Sequence, residues 1–508
     1  MRRNFIFTVL AVPLMALVLG LTGCVDEKIV YQDRDLFETP PAGAAGFVGY
    51  SKAEDKLTVC GNCHIGQQAA WKETAHAGAW AGLQTSSHAQ GFCEGCHTVS
   101  ELGNIATGAA GWNATKDARY KDVQCESCHG PGLAHVQNPS KGTINSVLAP
   151  MGVGTKDAWT GCAQCHTGAH HSYADEWGES GHGMIRPGTS SPQFRAECKE
   201  CHTAEDALVK FGLNKNYLEK AEFLPSQTAN MPITCAVCHD PHSTHGAPGQ
   251  LRKSLSEADL SKNLCMKCHY KRGVPDPTTF RGPHSPEGPV LLGEGGWWPD
   301  TLLARFPSGR VESTHGAIAA NPKLCAGCHL NNFQFTDPAT GATLTSTGHT
   351  FEATPCLDAN GKPIVKGSCA PTQRTYQTCT GSGCHGSDGA VRSAVTTVDL
   401  RMTNLAAELD RTLQAVHSNW RTCRQYNPPD VRACPTFNGK VTFNTTDNLY
   451  TVAEGAGFNY DMALRKSTSI HNPLLIESLL ISTIQQVRKE YGVTSALQVD
   501  LTAQIRQH

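Results

Sequence analysis

The hydrophobic pattern changes character along the chain. Residues 1–23 hold Arg2 and Arg3 and then an apolar run from Phe5 to Leu19, followed by the small-residue ending Leu21-Thr22-Gly23, which reads as a secretory signal rather than a membrane span. From about residue 55 to Cys384, glycine and proline punctuate the chain (49 and 28 overall), so short helices and loops are predicted instead of long regular elements. Beyond Cys384 the period becomes helical. Met402, Leu405, Leu409, Leu413 and Val416 form one apolar stripe, and Ile476, Leu480, Ile484, Val487 and Tyr491 form another. Asn472 and Pro473 supply an N-cap and a first helical residue for the second stripe. No stretch other than the leader is long and apolar enough to cross a bilayer.

Composition sharpens this picture. A chain of 508 residues can hold two or three domains, yet only 39% of it is hydrophobic and 7% aromatic, a thin supply of side chains for cores of that size. Cysteine and histidine, at 23 each, are far above ordinary usage. Densely spaced, covalently held cofactors account for all three features at once.

The motif CxxCH occurs eight times, as Cys60/Cys63, Cys93/Cys96, Cys125/Cys128, Cys162/Cys165, Cys198/Cys201, Cys235/Cys238, Cys265/Cys268 and Cys325/Cys328. Such pairs attach haem c: two thiols add across the vinyl groups, and the next histidine sits beneath the macrocycle as the proximal iron ligand. Those ligands are His64, His97, His129, His166, His202, His239, His269 and His329. Zinc is the rival reading, but it calls for paired knuckles and gives no reason for histidine after every second cysteine. Cys379-Thr-Gly-Ser-Gly-Cys384-His385 widens the spacing and resembles the CxxxxCH sites of some multihaem cytochromes. It would bring the count from eight haems to nine; the alternative is that Cys379 and Cys384 enter disulfides. Cys356, Cys369, Cys423 and Cys434 remain for two disulfides in an oxidising compartment, and the local pairs 356 with 369 and 423 with 434 are the expected connectivity.

A longer repeat overlies the motifs. Glu-[Ser/Thr]-x-His-[Ala/Gly] recurs at 73–77, 179–183 and 312–316, each time between two haem motifs, and Trp71 and Trp177 precede the first two copies. The motifs parse into triads beginning at 60, 93 and 125, at 162, 198 and 235, and at 265, 325 and 379, the last inflated by an insertion bearing Trp297 and Trp298. The expected organisation is a signal peptide (1–23), a lipidated linker (24–55), haem triads over 56–150, 151–255 and 256–395, and a helical region over 396–508. The expected fold is mostly irregular with short α-helices and little or no β-sheet, an elongated array of repeating units that complete one another's cores.

Fourteen further histidines are available as distal ligands, against eight methionines, so histidine on both faces of each iron is expected. His76, His182 and His315 occupy the recurring slot. His135 and His245 each lie six residues beyond the third proximal histidine of a triad, and His284, His349 and His471 complete the expected set. His242, His170, His171, His88 and His417 compete for the ninth place.

Leu21-Thr22-Gly23-Cys24 resembles the bacterial lipobox, which implies cleavage before Cys24, lipidation of that cysteine and stable membrane anchoring. Val25 after it resembles the outer-membrane sorting cue. The formal net charge of −2 becomes about −4 once the leader is removed. Nine haems with two propionates each make it about −13 oxidised and about −22 reduced. That balance excludes nucleic acid as a partner and favours cations or basic cytochrome surfaces.

Glu-Ser-x-His-Gly, Ile233-Thr-Cys-Ala-Val-Cys-His-Asp-Pro-His242 and Ile470-His-Asn-Pro473 resemble the multihaem cytochromes of bacterial respiration, including lipoprotein cytochromes of extracellular electron transfer. The resemblance implies closely stacked bis-histidine haems that pass electrons between a periplasmic donor and an acceptor at or beyond the outer membrane. Its implied partners are other periplasmic or outer-membrane cytochromes and a porin. Two other functions compete with an electron conduit: an oxidoreductase of nitrogen or sulfur oxyanions with one open-site haem, and a filament subunit whose spare histidines ligate haem in the next copy. No CxxCK motif is present.

Overall fold

The structure is a computed structural model that describes residues 37–139, 160–168, 171–184, 196–212, 231–243, 245, 247–278, 281–336, 341–359, 361, 363–364, 369–381, 383–424, 434–443 and 449–503. The leader, Cys24, His170 and His508 lie outside these residues. Backbone proximity divides the chain into residues 1–39 and 40–508, and all that follows concerns the second unit.

Short helices and loops dominate up to Cys384. Within the motifs the backbone makes a single tight turn: His64 N–H bonds to Cys60 O at 2.9 Å, His166 to Cys162 at 3.0 Å, His239 to Cys235 at 2.8 Å and His269 to Cys265 at 3.0 Å. That turn carries both cysteines to one side and presents the histidine at its end, because residues three apart share a helix face. The strands form two-stranded antiparallel ladders, the longest pairing Phe333–Thr336 with Thr343–Ser346 in the register Phe333 to Ser346.

Side-chain cores in the motif region are small. One gathers Phe47, Val99, Trp112 and Tyr120; another holds only Ala163, Ala174 and Trp177, with Cys162, Cys235 and Phe351 against it. The N-terminal part of this region is pinned by Glu126, which accepts from Gly49 N–H at 2.7 Å, Gly132 N–H at 2.7 Å and Val48 N–H at 3.0 Å. Burial raises the Glu126 carboxyl to about 7 against the opposing pull of those three donors.

The C-terminal region is built differently. Ser387 caps the helix Asp388–Val416, Thr451 and Glu454 form a capping box on Val452–Leu464, and Asn472 caps Pro473–Tyr491 by accepting from Leu475 N–H. Both stripes read from the sequence are buried on the first and last of these helices, where Leu409, Leu413, Leu480 and Ile484 share one apolar cluster with Ala456 of the middle helix. Each fully buried leucine there contributes about 2 kcal/mol. The insertion bearing Trp297 and Trp298 packs on this cluster. Trp297 N–H donates to Asn459 Oδ1 at 2.7 Å, and Asn459 Nδ2 returns a bond of 2.7 Å to Trp297 O. Gly455 lies beneath the Trp297 ring, where a Cβ would stand 2.1 Å from Cδ2. Disulfides Cys356–Cys369 and Cys423–Cys434 follow the expected local pairing, with Cα separations of 6.0 and 5.2 Å. Among the described residues no helix is long and apolar enough to cross a membrane.

Glu126→Ala strands three buried N–H donors and should cost about 3 kcal/mol. Limited proteolysis should then cut near residues 44–50 at a rate the parent protein does not show; an unchanged cleavage pattern would mean that the carboxylate does not hold this segment.

Candidate haem sites

The eighteen motif cysteines, Cys379 and Cys384 among them, are outside disulfides, so their thiols are available for attachment. Their settings are not uniform. Cys63 is exposed, whereas the other fifteen CxxCH cysteines are partly buried. It closes the 3₁₀ turn Cys60–Asn62. The turn itself is kept, since Cys63 N–H donates to Cys60 O at 3.1 Å and both thiols still lie on one side. Cys384, in the widened motif at the other end of the array, is exposed as well.

Eight of the nine motif histidines have a second imidazole facing them. The ring centroids are 6.4 Å apart for His64 with His135, 6.2 Å for His166 with His76, 6.0 Å for His129 with His242 and 6.0 Å for His202 with His284. They are 6.3 Å apart for His239 with His349, 6.2 Å for His269 with His182, 6.4 Å for His385 with His315 and 6.0 Å for His329 with His471. A metal–imidazole bond of about 2 Å on each side, plus roughly 1 Å from nitrogen to ring centre, puts two axial rings about 6 Å apart. The observed gaps therefore fit one iron between each pair. Two protein ligands fall short of a closed zinc site, whereas a porphyrin brings its own four nitrogens.

Hydrogen bonds to the second ring nitrogen set the tautomer. His97 Nδ1 meets Ala79 O at 2.9 Å, His315 Nδ1 meets Ile470 O at 2.8 Å, His329 Nδ1 meets Phe351 O at 2.8 Å, and His239 Nδ1 meets Gly249 O. A carbonyl only accepts, so Nδ1 must carry the proton and Nε2 keeps its lone pair for a metal. Burial holds His76, His242, His284 and His349 below the ordinary imidazole range. It brings His166 down to about 4, with help from the neighbouring imidazoles His76 and His171. His269 differs: burial opposes its protonation, yet the bond and charge of Glu287, with Nδ1 3.5 Å from Oε2, raise it overall.

Seven of the eight expected distal histidines face a motif histidine. His245 does not; its Nε2 sits 2.6 Å from Asp240 Oδ2, a carboxylate also held by Arg252 at 3.2 Å. The ring facing His129 is His242, three residues beyond His239, so counting six residues on from the motif selects the wrong member of the His242/His245 pair. The signal that marks it is the compact Cys-His-Asp-Pro-His run. Among the described residues no imidazole faces His97, and His88 is exposed. His417 turns away to Thr442 Oγ1 at 3.1 Å, on the C-terminal helices.

A family model described as cytochrome c554 and c-prime matches residues 59–130, which hold the first three motifs. The C-type polyheme cytochrome OmcB of Geobacter sulfurreducens is 27% identical over 304 residues, covering 53% of this chain and 35% of the relative. The multiheme cytochrome MtrA of Shewanella baltica is 26% identical over 199 residues, covering 36% of this chain and 53% of the relative. The chain thus spans between a third and about half of the length of these curated relatives. No solved structure matches. With paired imidazoles set at iron-spanning distance behind the motifs, a cytochrome family over the first three of them, and relatives named for carrying many haems, the chain is a multihaem c-type cytochrome.

Proposed function

We propose that this chain is an electron-transfer protein of the cell envelope carrying nine haems c, eight through CxxCH and one through Cys379, Cys384 and His385. The observation that carries this reading is the set of eight facing imidazole pairs with centroids 6.0–6.4 Å apart. Bound haem supplies a one-electron couple; the chain attaches it, ligates it and fixes the spacing. At the eight sites with facing imidazoles, the two rings would hold a bound haem iron from both sides and leave no place for a substrate, which favours electron transfer over oxyanion reduction. A lipid anchor at Cys24, at the outer membrane, and partners among other cytochromes or a porin accord with the leader sequence and with the relatives' shared multihaem character.

Carbonyl bonds from Ala79, Gly249, Ile470 and Phe351 lock ring orientation, and so hold each Nε2 in place without a reorganisation that would slow charge transfer. Glu287 lies beside His269, and its charge also reaches His284 and His471. Its negative charge beside His269 makes that ligand more basic and favours the oxidised site.

Pyridine haemochrome against protein mass should give nine haems per chain, and Cys384→Ala should remove one. Electron paramagnetic resonance of the oxidised protein should be dominated by low-spin iron. A large high-spin fraction would favour an open-site enzyme, with His97 the first place to look. His242→Ala should convert one centre to high spin while His245→Ala leaves the spectrum as it was; the reverse result would reassign the ligand of the His129 site. Glu287→Gln should raise the potential of the His269 centre most, by about 40 mV, on the order of 1 kcal/mol for one electron, as read by spectropotentiometric titration.

A further inference from the structure

Three of the facing imidazole pairs converge on one short stretch of chain, residues 465–472, where the C-terminal core meets the motif region. His471 ends the short helix Lys466–His471 and faces His329 of the motif at 325, with ring centroids 6.0 Å apart. The carbonyl of the residue before it, Ile470, accepts from His315 Nδ1 at 2.8 Å, and His315 faces His385 of the widened motif at 379. At the start of the same stretch, Arg465 terminates the helix Val452–Leu464, and its guanidinium donates to Pro283 O at 2.7 Å. The residue after Pro283 is His284, which faces His202 of the motif at 198. One short helix thus touches the second imidazole of three sites that lie far apart in sequence.

Neither His284 nor His315 lies on a helix or strand, so the order of each has to come from outside its own segment. For His284 it comes from several sides. Arg272 Nε donates to Gly282 O at 2.8 Å, and a Cβ on Gly282 would stand 2.7 Å from Asp461 Oδ2, so the Arg424–Asp461 ion pair lies directly against that backbone. Asp461 belongs to the helix that Arg465 terminates, so both reach the His284 segment from one element. The short helix also packs on Glu287–Leu291, which begins three residues beyond His284. For His315, Asn472 Nδ2 donates to Val311 O at 2.8 Å, four residues before the ring that Ile470 holds. The stretch is in turn fixed to the C-terminal core: Thr468 is buried, its hydroxyl reaches Met462 O at 2.7 Å and Arg465 O at 2.8 Å, and Asn472 caps the last helix. Polar contacts at such a seam ordinarily serve packing, as those of Trp297 with Asn459 do. Those of Arg465, Ile470 and Asn472 differ in falling within four residues of a facing histidine.

Resting on the haem-carrying reading above, we infer that residues 465–472 are a shared positioning element for the second axial ligand of three haem sites: His284 through Arg465, His315 through the Ile470 carbonyl and Asn472, and His471 directly. Arg465 is the positioning residue that motif spacing does not mark. A histidine on an irregular segment loses conformational freedom when it closes on iron, and holding the neighbouring carbonyls beforehand removes that cost. Because one support serves three sites, displacing it reaches three centres, whereas removing a single imidazole reaches one.

The test is the spin state of the oxidised full-length holoprotein, read by electron paramagnetic resonance, with haem number by mass as the check on assembly. His471→Ala should turn one centre high-spin. Arg465→Gln should turn part of a different centre high-spin, and free imidazole should return it to low spin. Arg465→Lys, which still offers an N–H to Pro283 O, should stay low-spin. Arg465→Gln combined with His284→Ala should convert no more than His284→Ala alone, since the arginine acts through that ring. Additive conversion, or a parent-like spectrum for Arg465→Gln, overturns its role. Thr468→Pro removes an N–H bonded to Arg465 O and displaces the whole stretch, so it should convert three centres. Conversion of the His471 centre alone overturns the shared support. If the Thr468→Pro protein does not assemble, Asn472→Ser decides, because it keeps the helix cap and loses the donor to Val311 O. It should convert part of the His315 centre, with no further effect in a His315→Ala background; a parent-like spectrum overturns the inference. Absence of haem from the parent protein would instead refute the functional reading itself.

Discussion

The fold depends on one constraint: two imidazoles must face each other across a gap the width of an iron atom's axial bonds, and they come from stretches far apart in sequence. His239 meets His349, and His329 meets His471. Each such pair acts as a long-range crosslink once metal is bound, doing for the motif region what apolar side chains do elsewhere. That explains how cores as small as Ala163, Ala174 and Trp177 can suffice there. It also explains why Glu126 is drawn into the interior, since backbone amides in a loop-rich segment need an acceptor that no ladder provides.

The C-terminal helices follow the opposite logic. Their cluster around Leu409, Leu413, Leu480 and Ile484 is an ordinary apolar core with capped helix ends. The two constructions are joined by particular contacts: Trp297 over Gly455 with its reciprocal bonds to Asn459, and His471, which ends the short helix Lys466–His471 just before the last helix and faces a motif ring. An ordinary core thereby becomes a rigid mount for an imidazole that faces a motif histidine.

Much of this was readable in the residues. CxxCH is a local chemical requirement, so attachment cysteines and their histidines can be named from spacing alone. Helical stripes such as Met402 to Val416 are equally local. Recurrence identified His76, His182 and His315 as a set because a repeated unit repeats its ligands. What spacing could not supply was the surroundings of each site. Cys63 reads like every other second cysteine of a motif, yet it is exposed, because burial depends on which units pack beside it. His242 and His245 are three residues apart, and the choice between them is made by Asp240 and Arg252, which hold His245 through an ion cluster assembled in three dimensions. The docking of Trp297 on Asn459 was hidden for the same reason: it is a long-range contact with no periodic signature.

The position of His471 has a further consequence. The ring it faces belongs to the motif at 325–329, so a haem held there as proposed would gain its second imidazole only once the segment 466–471 has been made and folded. Synthesis runs from the amino end, so under the proposed haem-carrying reading a chain cut short before residue 471 would lack the second imidazole for that site. Completion of the tail would then complete the ligand pair of a distant motif, so the C-terminal core and that site would mature together.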